Sequence, residues 1–327
     1  MRVYSLDTQL DKVTGVEKVM LDIHHAVKDE YDARIVGTIP FDNIRKEHHI
    51  QQDEYIKFIN PFMFSNSIVF VHERKLLILL WLLNHLFFQK IKIVYVHHNL
   101  FYDHLKTTIL PKTVVAIADM GIENLTNNFK APINNIHKIY NCVKDKYYAP
   151  HRDTNKNIIT LLLPGRINDQ KQQVEIVKQL KGKIDRRIKL QFAGDGAKLE
   201  ELKELCGEDL QFEVLGFRSD VYELMEKADY VLLFSLHEGL PITLIEASML
   251  GIPIICSNVG GNSEICHHEE NGWVLNDWEE LIEKLNNLPN VSYDEYRRMC
   301  NESRKIYEEK FTFETFKKNY LNLLKEI

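Results

Sequence analysis

No hydrophobic run in this sequence is long enough to cross a bilayer. The strongest, Leu76 to Phe88, is 13 residues long and is interrupted by Asn84 and His85, whereas a spanning helix needs roughly 20. It reads either as a buried helix or as a helix whose apolar face touches a membrane surface, with Arg74, Lys75, Lys90 and Lys92 flanking it. The N-terminal Met-Arg-Val-Tyr-Ser-Leu-Asp has neither the apolar core nor the small-residue cleavage site of a signal peptide. Cysteine is sparse. The five are odd in number, widely spaced and without a C-x-x-C pair, which points to reduced thiols in a cytoplasmic protein. Positive charge is not in excess: the net charge of −6 disfavours general nucleic-acid binding. The histidine pairs at 24–25, 48–49, 97–98 and 267–268 show no ordered ligand spacing, which argues against a metal site. Short-period repeats and low-complexity segments are lacking too.

What is present is the pattern of a soluble α/β protein. With 327 residues, 45% hydrophobic and 27% charged, the chain exceeds what one core usually covers, so two domains are expected. Apolar runs of four to eight residues alternate with longer amphipathic stretches, as in repeated βαβ units with a parallel sheet. In the first half, strands are expected at 2–6, 33–37, 67–72, 92–97, 114–118 and 137–140, with a helix over 14–28. In the second half they are expected at 158–163, 189–193, 212–215, 230–234, 253–256 and 273–275. The polar stretch 141–157, interrupted by Pro150, reads as a linker with the boundary near residue 152. Residues 311–327 space Phe313, Phe316, Tyr320, Leu321, Leu323 and Leu324 as a helix with an apolar face. Open α/β sheets bind ligands beyond the C-terminal ends of their strands, and two such sheets facing each other would bind across a cleft.

The residues just after the strands carry the chemistry. Pro164-Gly-Arg-Ile-Asn-Asp-Gln-Lys171 lies just past one strand. An Arg fork and a Lys point charge that converge suit a diphosphate, although two solvated surface cations would look alike. Gly194-Asp195-Gly196 is a tight turn and a weak signal by itself. His237-Glu-Gly-Leu-Pro-Ile-Thr-Leu-Ile-Glu246 holds two glutamates, which could be an acid/base pair, two ligands for something polar, or the exposed side of a helix. Gly239 and Pro241 break a helix through Glu238, while Pro241 suits the first turn of one over Ile242–Leu250. Eight residues of continuous helix would rise about 12 Å, against the roughly 5–9.5 Å of a glycosidase pair. This favours two separate hydroxyl acceptors, with the helix start between them facing an anion. In the first half, Gly15 opens a helix and His97 ends a strand. That histidine could bind a sugar hydroxyl, act as a base, or simply be solvated.

Taken together, Gly165-Arg166 with Lys171, Gly194-Asp195-Gly196 and then Leu215-Gly216-Phe217, and Ser235 to Pro253 with its E-x7-E signature resemble retaining glycosyltransferase family 4 (GT4, glycosyl transferases group 1). The likeness runs over about 158–275 and more loosely over 1–145. It implies a GT-B fold: two Rossmann-like doubly wound α/β domains facing across a cleft. An acceptor-side domain would cover 1–152, a nucleotide-sugar domain 153–308, and a C-terminal helix, 309–327, would return to the first. By resemblance, Arg166 and Lys171 bind the donor diphosphate and Glu246 the ribose. Glu238 binds the transferred sugar, amid the amides of Gly239, Leu240, Thr243 and Leu244. Phe217 meets the base, Gly15 matches the family's glycine loop, and His97 matches a histidine contacting the donor sugar; Glu238, Arg166, Lys171 and His97 form the catalytic set. Two departures stand out: the Gly15 loop is poor in glycine, and Asn141-Cys142 replaces a usual Asn-Gly. The implied reaction moves a sugar from a nucleotide diphosphate sugar, UDP by family habit, to a hydroxyl of a glycan or lipid-linked acceptor in surface polysaccharide or glycoconjugate synthesis. It proceeds with retention and without metal or cofactor. The implied location is cytoplasmic, at the inner face of the membrane if Leu76–Phe88 makes peripheral contact. A nucleotide-sugar epimerase or a non-catalytic nucleotide-sugar-binding protein on the same fold is the alternative.

Overall fold

The computed structural model describes residues 1–102, 108–146 and 157–327. The linker centre and the boundary expected near residue 152 lie outside the described residues. The chain divides into two compact units, Met1–Cys142 with Thr312–Ile327, and Val143–Phe311.

The first unit contains β1 (Arg2–Leu6), α1 (Gly15–Val27), β2 (Asp32–Gly37), β3 (Tyr55–Lys57), β4 (Ile68–Val71), α2 (Leu77–Phe87), β5 (Lys92–His97), β6 (Thr113–Ala116), α3 (Asp119–Asn127) and β7 (Ile136–Lys138). The second contains β8 (Ile159–Pro164), α4 (Gln173–Leu180), β9 (Ile188–Ala193), α5 (Leu199–Cys206), β10 (Phe212–Gly216), α6 (Val221–Lys227), β11 (Tyr230–Leu233), α7 (Ile242–Met249), β12 (Ile254–Ser257), α8 (Asn262–Ile265), β13 (Gly272–Leu275), α9 (Trp278–Asn287) and α10 (Tyr293–Lys310). The last helix, α11 (Phe313–Glu326), belongs to the first unit. There Tyr320 packs edge-on to Phe70 of β4, with ring centroids 5.7 Å apart, and Lys317 pairs with Asp29 at 2.8 Å.

Both sheets are parallel among the described residues. Their orders are β3-β2-β1-β4-β5-β6-β7 and β10-β9-β8-β11-β12-β13. Helices cover both faces, which is why β4, β11 and β12 read as unbroken apolar runs rather than as alternating ones. In the second unit, Leu161, Leu163, Phe192, Tyr230, Leu232 and Phe234 build one core face with α4, α5, α9 and α10. Side chains cap the later helices: Asp277, Ser292 and Thr312 each accept a backbone N–H three residues on, the pairing that starts a helix without orphan donors.

The expected strands are present, and β3 is the addition. It is three residues long with none of them buried, so its apolar signal was too short to stand out. In each sheet the strand order reverses once beside the unit's first strand: between β1 and β4, and between β8 and β11. A doubly wound sheet opens a crevice at this switch, because the loops on either side leave toward opposite faces.

Candidate functional site

The crevice of the second unit opens between β8 and β11. Leaving β8, Gly165 has φ +145 and donates its N–H to Ala193 O at 3.0 Å. The turn after β9 fits against it because Gly194 has no side chain: a Cβ there would lie 1.9 Å from Gly165 O. Gly-Asp-Gly, weak as a sequence signal, is therefore a packing requirement of the loop that carries Arg166. The segment 170–172 is then tied to the one after β11. Leu236 N–H donates to Gln170 O at 2.9 Å, Gln170 Nε2 to His237 O at 2.9 Å, and Gln172 Nε2 to Phe234 O at 3.1 Å.

This stitching brings Lys171 Nζ to 2.7 Å from Glu238 Oε1, with the two side chains 17% and 8% exposed. The ammonium and carboxylate thus compensate each other inside the crevice. Arg166 is exposed and its guanidinium has no partner among the described residues. Beyond Glu238, Pro241 occupies the N-cap of α7 rather than its first turn, and offers no side-chain cap. The amides of Ile242 and Thr243 accordingly have no backbone acceptor among the described residues, leaving the positive end of the helix open. Leu240 and Leu244 are buried, while Gly239 and Thr243 are half-buried. Glu246, on the second turn of α7, accepts from the Tyr222 hydroxyl at 2.9 Å. Phe217 comes directly after β10 and is 77% exposed. Arg166, Lys171, Glu238 and the start of α7 therefore share one switch crevice. Glu246 with Tyr222, and Phe217, stand at neighbouring strand ends of the same sheet.

Two participants escaped the sequence reading. Tyr222 orients Glu246. Gly260, in the loop after β12, lies so close that a Cβ would sit 2.0 Å from Glu238 O, and its φ is +55; Gly261 N–H then bonds Gly239 O at 2.7 Å. Val259-Gly-Gly after a strand was the available signal. Gly260→Ala is expected to push the Glu238 backbone aside. The strained φ and the clash together should cost about 2 kcal/mol of stability, measurable by denaturant melts.

In the first unit the polar groups also collect at the switch. Thr8 N–H donates to Glu73 Oε1 at 2.8 Å, and Lys75 Nζ to Thr8 Oγ1 at 3.0 Å. The pairing Leu6↔Val71 sets Asp7 beside His72 one residue further on. His72 Nδ1 meets His98 Nε2 at 2.8 Å. Asp7 Oδ2 and His72 Nε2 are buried and make no hydrogen bond among the described residues. Burial, reinforced by Glu17 and Glu73, raises the Asp7 carboxyl to about 7 against the opposing Gln9 amide, and burial alone lowers His72 to about 3.

His97 is the last residue of β5. It is 1% exposed, with Nε2 against Asn124 Oδ1 at 3.0 Å and its ring edge-on to Tyr95 and Phe101. Burial lowers it to about 4, only partly opposed by Asn124. Successive strand residues point to opposite faces, so His97 lies with Tyr95 in the α2–α3 core. His98, its neighbour, is the one that turns to His72. Gly15 opens α1 as expected, but Thr14 and Glu17 form a capping box over that helix start, which occupies part of its donor set.

The family model Glycosyl transferases group 1 matches residues 149–306. A UDP-Gal:alpha-D-GlcNAc-diphosphoundecaprenol alpha-1,3-galactosyltransferase of Escherichia coli is 29% identical over 140 residues, 40% of this chain and 36% of that protein. A 2-deoxystreptamine N-acetyl-D-glucosaminyltransferase of Niallia circulans is 34% identical over 180 residues, 50% of this chain and 44% of that protein. The chain therefore spans less than half the length of these curated relatives. Among solved structures, Anabaena HepE in complex with UDP superposes with a TM-score of 0.86 at 18% identity, covering 100% of both chains. The apo lipopolysaccharide outer core galactosyltransferase WaaB gives 0.82 at 17%, again over 100% of both. The fold is GT-B.

Proposed function

We propose that this GT-B protein, whose residues 149–306 match group 1 glycosyltransferases, is a retaining hexosyltransferase that moves a sugar from a UDP-sugar to a hydroxyl of a glycan or lipid-linked acceptor. The observation that carries the reading is the Lys171–Glu238 pair set across the β8/β11 switch, with Arg166 exposed on the same loop after β8 as Lys171. In this reading Arg166, Lys171 and the open amides of α7 hold the diphosphate. These are the groups that stabilise charge as it develops on a leaving phosphate, so no metal is assigned to the step. Glu246, held by Tyr222, takes the ribose hydroxyls, and Phe217 lies against the base.

Glu238 takes hydroxyls of the transferred sugar. Its contact with Lys171 puts sugar and phosphate recognition within one hydrogen bond of each other, which is what cleavage of the bond between them requires. The acceptor hydroxyl attacks on the face from which the diphosphate departs, and its proton passes to the leaving phosphate. Positioning and charge stabilisation supply the rate. The Asp7–His72–Glu73 crevice of the first unit is assigned to the acceptor, and His97 has no catalytic role. Two further findings support the donor assignment: HepE was solved with UDP and also with UDP-glucose, and the E. coli relative bears a UDP-Gal donor in its name. That name also carries a diphosphoundecaprenol acceptor, consistent with surface-glycan synthesis.

The test is incubation with a panel of UDP-sugars, with and without acceptor glycans, in EDTA. One sugar is expected to be released slowly without acceptor and transferred with retained anomeric configuration when acceptor is present. Conversion of the donor to an isomer would identify an epimerase instead. Arg166→Ala is expected to weaken UDP binding about 10–100-fold, the scale of a charge-assisted contact; calorimetry showing unchanged affinity would remove Arg166 from the phosphate site.

A further inference from the structure

Helix α2 has only two polar residues, Asn84 and His85. Leu77, Leu80 and Leu83 are buried in the first unit, as one side of a surface helix should be. The other side carries Ile78, Trp81, Leu82, His85 and Leu86, at helical spacings of three and four. Ile78 is 48% exposed and Leu86 58%. The exposed patch continues onto Ile59 and Phe62, whose ring meets Phe87 edge-on at 5.3 Å. It ends on Phe88, which holds the left-handed C-cap at φ 50 and is 80% exposed. A helix usually ends there on glycine, so a bulky aromatic is held outward at a conformational cost. Beside Trp81 the apolar surface becomes concave: a cavity of 510 Å³ is lined by Trp81, Ile91, Ile93 and Leu110, together with Lys92 and Lys112.

We propose that this face docks on the surface of a bilayer containing anionic phospholipid. Charge selects that occupant. Exposed Lys57, Lys90 and Lys92 lie on the segments that carry the face, and Lys92 and Lys112 line its cavity, whereas Arg74 stacks on Phe101 and Lys75 pairs with Glu73 at the strand switch; the chain as a whole has a net charge of −6. Apolar side chains ringed by lysine, with a tryptophan among them, suit insertion at the level of lipid headgroups. A second copy of the chain fits less well, because a two-fold contact would set each lysine cluster against its own copy. The helix lies on the membrane and does not cross it, since no helix among the described residues is long and apolar enough to span.

The experiment is sedimentation of the whole protein with vesicles of phosphatidylcholine alone, or of phosphatidylcholine mixed with phosphatidylglycerol. Binding is expected to the mixed vesicles, to fall steeply with added salt, and to be at least tenfold weaker on phosphatidylcholine alone. Trp81→Glu/Leu86→Glu and Lys57→Glu/Lys90→Glu should each lower the partition coefficient at least tenfold. The second pair alters only exposed positions, so its melting curve should match that of the parent. Equal binding of parent and lysine variants, or no binding to anionic vesicles, overturns the proposal. So does a concentration-dependent dimer that Leu86→Glu dissociates, which would assign the face to a second copy. No sugar transfer enters these readouts, so the outcome is independent of the donor-site assignment.

Discussion

Lys171→Met is expected to lower kcat/KM by about 10³-fold, the loss seen when one preorganised donor to a developing anion is removed. It should also destabilise the second unit. Glu238 is 8% exposed and Lys171 Nζ is its 2.7 Å partner, so removing the ammonium leaves a buried carboxylate without its partner at a cost of about 1–3 kcal/mol. Glu238→Gln leaves a more exposed ammonium, and its stability loss should be smaller while its activity loss is of the same order. The double variant Lys171→Met/Glu238→Gln separates the two effects. It should recover most of the stability, because neither buried charge remains, and none of the activity. Thermal melts and steady-state kinetics on the four proteins would measure both. A double variant that regained turnover would show the pair to be structural, and the phosphate and sugar assignments would fall together.

Acidification should unfold the first unit before the second. His24, His72, His97 and His98 are all buried in the first unit. Burial leads the causes in each, lowering His24 and His97 to about 4, His72 to about 3 and His98 well below its ordinary value. The unfolded chain takes up protons at these histidines below pH 6.5 while the folded chain does not, so stability falls as pH drops from 6.5 toward 4. Asp7 acts in the opposite sense over the same window. With its folded carboxyl raised to about 7, it holds a proton that the unfolded chain has already lost. One carboxyl against four histidines leaves the histidines dominant, and the net slope should exceed roughly 1.4 kcal/mol per pH unit, the value of one proton. In the second unit His237 and His268 are exposed and His267 is half-buried. Hydrogen exchange at pH 5 should therefore show protection lost first in peptides from β1, β4 and β5. Protection lost first in β8 to β12, or equally in both units, would contradict this.

The order of strands along the chain was readable because each is a short apolar run set off by polar loops, as at Tyr230–Leu233 and Ile254–Ser257. β3 was not, since three half-exposed residues carry no period. The loop residues Arg166, Lys171, Glu238 and Glu246 stand just past the C-terminal ends of strands, positions that the apolar runs themselves mark. That Lys171 and Glu238 touch was not readable: they are 67 residues apart, and their contact depends on β11 pairing with β8 rather than with β10. That His97 turns into the core while His98 meets His72 was not readable for a related reason. Alternation along a strand says that the two point to opposite faces, but not which face carries the crevice.

Local composition thus determined the α/β class, the two sheets and the chemical kinds of group at their strand ends, because strand propensity, helix starts and charge act within a few residues of their source. Helix α2 shows the limit of that locality. Its apolar run foretold a helix but left open how much of it would be covered, and only packing decided that Leu77, Leu80 and Leu83 face inward while Ile78, Trp81 and Leu86 stay in solvent. Which carboxylate meets which cation, which histidine is core, and which apolar face is left bare depend on the order in which strands pair. Pairing is settled by burial summed over the whole sheet, a quantity that belongs to no single segment of the sequence.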